Sequence, residues 1–95
     1  MDKVGLSFRS ELEPDQVMQR FIQPLRDALE RQSAGIYSNY LRQFDPAASE
    51  PTEHLLVFQV SDFKEGLRCL RMAAEQLDMP DEITFQNLNP SQPGY

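Results

Sequence analysis

Tryptophan is absent from this chain, cysteine and histidine occur once each, and nine basic residues face fifteen acidic ones. Each shortage excludes something. A lone Cys69 can form no internal disulfide and fits a reducing compartment. One histidine, His54, and one cysteine make no zinc-ligand set. With a formal net charge of −6, attraction to nucleic-acid phosphates and to anionic membrane surfaces is disfavoured, so neither is expected as a partner. No apolar run approaches the roughly 20 residues of a membrane span. The opening "MDKVGLSFRS" does not read as a signal peptide, so a cytoplasmic location is the expectation. The glycine-containing stretches "KVGLS" and "SAGIY" match no phosphate-binding fingerprint, and no calcium-loop spacing occurs. No catalytic residue, cofactor site or metal site is therefore predicted, and the chain reads as non-enzymatic.

What is present is an ordinary globular balance, 40% hydrophobic and 25% charged, over 95 residues. That length suits one domain, residues 1–95, with an irregular tail over 88–95. In "KVGLSFRS", Val4, Leu6 and Phe8 alternate with smaller or polar residues, the period of a strand with one buried face. "ELEPDQ" opens a helix, with Pro14 at its first position and acids in and before its first turn. Met18, Phe21, Ile22, Leu25 and Leu29 form that helix's apolar stripe, Pro24 is expected to kink it, and Gly35 is the natural stop. "IYSNYLRQF" fits a helical period, but its aromatic and β-branched content, with glycine before and Asp-Pro after, favours a strand. "EHLLVFQVSD" reads as a central strand, Ser61 or Asp62 as the cap of a second helix ended by Pro80, and "EITFQNL" as a last strand.

The order β-α-β-β-α-β resembles the split β-α-β pattern of ferredoxin-like folds. It implies an α+β domain with a four-stranded antiparallel sheet, order 4-1-3-2, and both helices on one face. Such a topology brings three connections to one pole. They carry Glu11, Glu13, Asp15, Asp45, Glu50, Glu53, Asp78, Asp81 and Glu82, with Glu75 one turn back: ten of the fifteen acids. Acids suit the positive start of a helix but oppose its end, so "EQLDMPDE", from Glu75 to Glu82, carries acid where the helix dipole disfavours it.

Two readings fit this pole: a docking surface for a basic protein, and a solvated rim that keeps a small protein dispersed. On the docking reading the contact residues are Glu11, Glu13, Asp45, Glu50, Glu53, Asp78, Asp81 and Glu82. A small acidic chain of this kind resembles bacterial toxin-neutralising immunity proteins. That resemblance implies an inhibitor that covers the basic cleft of a toxin. The sheet face without helices is a second candidate surface, with Tyr37 or Tyr40 expected beside Leu55 and Val57, suited to a partner or a homodimer. Two other functions remain open. One is a regulatory module that binds a small metabolite and dimerises through its sheet. The other is a dimeric α/β-barrel enzyme, for which only Arg9 and Tyr40 offer polar groups on that face.

Overall fold

A computed structural model describes residues 2–43, 52–80 and 82–88. The chain forms strand β1 (Asp2–Ser10) and then a helix, α1, which runs on through Pro14–Val17, Met18–Ile22 and Gln23–Arg31. Strands β2 (Gly35–Gln43) and β3 (Thr52–Val60), helix α2 (Phe63–Glu75) and strand β4 (Thr84–Asn87) follow. The sheet order is β2-β3-β1-β4 and every neighbouring pair is antiparallel. This is the predicted α+β arrangement and strand order, read from the opposite edge, and the described part of "IYSNYLRQF", Ile36 to Gln43, lies within a strand. None of the described helices is long and apolar enough to cross a membrane.

Helix α1 starts where expected. Glu13 is the extended residue before the helix, Pro14 opens the first turn, and Gln16 reaches back to accept from the Glu13 N–H at 2.9 Å. At Pro24 the structure adds something unforeseen. The helix passes through it, but Met18–Ile22 winds as a π-turn, in which the Gln23 N–H bonds the Met18 carbonyl five residues back. Proline has no N–H, and its ring collides with the carbonyl four residues earlier, so the chain widens one turn ahead of it. The stop also differs from expectation. Ser33 takes the left-handed conformation (φ 53°) and the Ala34 N–H closes on Leu29 O at 2.9 Å, while Gly35 is already in β2 opposite Val60.

Both helices cover the same face of the sheet. Val4, Leu6 and Phe8 of β1 and Leu56, Phe58 and Val60 of β3 alternate inward. They meet Val17, Phe21, Ile22, Leu25 and Leu29 of α1 and Leu70 and Ala74 of α2. Each such large side chain contributes roughly 1.5–3 kcal/mol of burial. Asp62 caps α2, accepting from Lys64 N at 2.9 Å and Glu65 N at 3.4 Å. Gly66 lets that first turn sit against β3, because a Cβ there would lie 2.5 Å from Val60 Cβ. The helix is thereby locked close over the C-terminal end of the central strand.

Candidate functional site

Strand ends define the site. β1 leaves the sheet at Ser10 opposite Thr52, β2 ends at Gln43 opposite Glu53, and β4 enters at Thr84 opposite Ser7. Helix α1 begins at this pole. Helix α2, leaving β3 at the far end, returns to it. Glu11, Glu13 and Asp15 therefore lie at the same end of the fold as Glu53, as Glu75 at the end of α2, and as Asp78 and Glu82 on the way to β4. All are exposed except Glu53, which is half-buried. The expected contact residues Asp45, Glu50 and Asp81 lie outside the described residues.

The dipoles of the two helices act differently on these acids. Asp15 and Glu13 sit at the positive start of α1, where carboxylates are stabilised. Glu75 occupies the last turn of α2 and Asp78 follows it, opposing the negative end at about 0.3–1 kcal/mol each. Three arginines border the pole: Arg9 opposite Glu53 in the register, Arg42 opposite His54, and Arg71, whose guanidinium lies 5.6 Å over the Phe85 ring.

Beneath the pole lies a polar cluster around His54, which the sequence shows only as a solitary histidine without a ligand set. His54 is fully buried at the start of β3. Its Nε2 is 3.1 Å from the Ser10 carbonyl and 3.2 Å from Ser10 Oγ, and its Nδ1 is 2.6 Å from the Tyr40 hydroxyl. A carbonyl can only accept, so Nε2 carries the proton and Nδ1 accepts from Tyr40 O–H. The ring stacks on Phe8 (5.0 Å between centroids) and beside Tyr40 (5.9 Å). Burial lowers the His54 pKa from its ordinary 6.5; the Ser10 carbonyl opposes that shift and Arg42 adds to it. Burial raises the Tyr40 hydroxyl, which Arg42 partly offsets. The neutral pair is thus the favoured state. It joins the ends of all three long strands and, through Ser10 Oγ accepting from Leu12 N at 3.1 Å, holds the turn that carries Glu11 and Glu13.

The expectation that Tyr37 or Tyr40 lies on the open sheet face is corrected here. A β-bulge between Tyr37 and Asn39 inserts Ser38, so Tyr37 opposes Phe58 and Tyr40 opposes Leu56, both inward-facing. Tyr37 packs edge-on against Phe58 (6.0 Å), and Tyr40 reaches His54. The same bulge turns Ile36 and Leu41 outward, opposite Gln59 and Leu55. Leu55 and Val57 do face the uncovered side as predicted, although Val57 is only 8% exposed. A one-residue bulge has no pattern signature in "GIYSNYLRQ", which is why strict alternation misassigned the tyrosines.

Cys69 is half-buried, with Sγ 3.5 Å from the Ala28 carbonyl, and its pKa is raised by burial, an effect that Arg31 partly offsets. It lies between the helices, away from His54. Among the described residues no group of three or more His, Cys, Asp or Glu is arranged to hold a metal ion. No protein-family model matches the chain, and neither a curated protein nor a solved structure matches it.

Proposed function

We propose that this chain is a protein-binding protein that docks a basic partner through its acidic pole. The observation that carries the reading is the register. Elements far apart in sequence end together and bring Glu11, Glu13, Asp15, Glu53, Glu75, Asp78 and Glu82 to one end of the molecule. A field of one sign speeds encounter with a partner of opposite charge and penalises wrong partners. Glu75 and Asp78 sit at a helix end that disfavours them, which fits residues kept for a use other than stability. The His54–Tyr40–Ser10 cluster gives the pole a fixed base, so little ordering entropy is lost on docking.

In its finer form the proposal is a ferredoxin-like, cytoplasmic inhibitor of the immunity-protein type, which covers the basic active cleft of a bacterial toxin. Size, acidity and the placement of charge support this form. The test is capture of the partner by the wild-type chain and by a Glu11→Lys/Asp78→Lys/Glu82→Lys variant, whose three positions are all exposed. A basic partner retained by the wild type should bind the variant at least about tenfold more weakly. Equal retention by both proteins refutes docking through the pole.

A further inference from the structure

The sheet face opposite the helices has a composition unlike the rest of the surface. Rows across it read Leu41–Leu55–Ser7–Thr84 and Asn39–Val57–Gly5–Gln86 in the register, with Ile36, Gln59 and Lys3 in the next row. In its middle, at Gly5 and Ser7, strand β1 offers almost no side-chain bulk there. Neighbours lean in to level the centre: Leu88 Cδ1 and Leu55 Cδ1 lie 2.7 and 3.0 Å from where a Gly5 Cβ would stand, and Gln86 Nε2 donates to Ser7 Oγ at 3.0 Å. Toward β2 the surface turns apolar and open. Ile36 is 48% exposed and Leu41 49%, and among the described residues the only other large hydrophobic exposed to this degree is Met72, on α2. The Ser38 bulge alone puts both on this side; in a regular strand, residues five apart face opposite ways.

We propose that a second copy of this chain covers this face, the two sheets packing face to face about a two-fold axis. Two observations select that occupant. The first is charge. Among the described residues the charged ones on the face are Lys3 and Arg9 on β1 and Glu53 on β3, a net of one positive charge in a chain of −6. A basic protein gains nothing by binding there, and a second copy docking face to face meets only that single like charge rather than the acidic pole. The second is area. Three nine-residue strands and the short β4 span about 30 Å by 15–19 Å. That footprint is on the order of 500 Å² per copy before side-chain relief is counted, about 1,000 Å² in total, which reaches the lower threshold for a specific interface.

Electrostatics also chooses the orientation. If the axis ran parallel to the strands, two acidic poles would meet at one end. An axis perpendicular to the strands sends the poles to opposite ends and brings the Arg9–Glu53 row of one copy over the Lys3–Gln59 row of the other, with Glu53 supplying the opposite charge to Lys3. Within one chain these two cannot meet: Glu53 pairs with Arg9 and Lys3 with Gln59, six residues along the strand. The dimer is independent of what the pole binds, and leaves both poles open.

The experiment is sedimentation equilibrium of the wild-type chain and of Leu41→Glu and Ile36→Glu, with far-UV circular dichroism to verify folding. It is followed by zero-length carbodiimide cross-linking and peptide mapping. The expected result is a wild-type mass twice 11.0 kDa, monomers for both folded variants, and a Lys3–Glu53 cross-link found only in the dimer band. A wild-type monomer at all concentrations reached overturns the proposal, as does a dimer that survives both substitutions. A dimer without the Lys3–Glu53 link overturns the perpendicular arrangement.

Discussion

Tyr40→Phe should destabilise the protein out of proportion to the single oxygen removed. The Tyr40 hydroxyl is the donor to His54 Nδ1 at 2.6 Å, and His54 is fully buried, so the truncated site strands a polar nitrogen away from water. Leaving a buried acceptor without a donor costs about 1–3 kcal/mol. For a domain of this size each kcal/mol corresponds to about 5 °C, so Tm should fall by roughly 5–15 °C. Urea denaturation followed by far-UV circular dichroism reads the same loss as a shift in midpoint with little change in slope. The cycle is completed by His54→Leu and by the double variant. Because His54→Leu removes the stranded nitrogen, the double variant should lose at least about 1 kcal/mol less than the two single losses combined. If Tyr40→Phe costs under about 0.5 kcal/mol, or the two losses simply add, the inferred hydrogen bond and tautomer are wrong.

The same cluster fixes a pH limb. The folded-state pKa of His54 lies below its ordinary 6.5, so the unfolded chain binds more protons. Its contribution is complete above pH 6.5 and is lost as pH falls from there toward the folded value, at no more than about 1.4 kcal/mol per pH unit. Urea midpoints measured across that window should fall on acidification, and should fall less in His54→Leu; equal slopes would contradict the assignment. Gly66→Ala should destabilise despite the better helix propensity of alanine, because the new methyl meets the Val60 side chain. A raised Tm in that variant would show that the helix can lift off β3 without penalty. Cys69, with its pKa raised by burial, should react with iodoacetamide near neutral pH more slowly than the same thiol in urea-unfolded chain. Equal rates would place it in solvent.

Much of the fold was legible because its signals are periodic. Val4, Leu6 and Phe8 alternate, the run from Leu55 to Val60 is almost unbroken, and Phe21, Ile22, Leu25 and Leu29 recur at helical spacing. These patterns give element type, and element order then gives the sheet and the pole. Three features were not legible, each for a local reason. The π-turn ahead of Pro24 and the left-handed Ser33 are backbone adjustments that leave the hydrophobic pattern unchanged. The bulge at Ser38 shifts register by one residue, exchanging the faces of Tyr40 and Leu41. His54, read as a solitary histidine, gains its meaning from Ser10 and Tyr40, which lie 44 and 14 residues away in the chain. Such partners become visible only when three strands end together.

The acidic pole is tested most directly by the salt dependence of its affinity for the captured partner. Measured by calorimetry from roughly 0.05 to 0.5 M sodium chloride, affinity should fall steadily as screening shortens the reach of the exposed carboxylates. The dependence should be shallower for Glu11→Lys/Asp78→Lys/Glu82→Lys. Affinity that does not change with salt, and is the same for wild type and variant, would contradict recognition by charge at this end of the molecule.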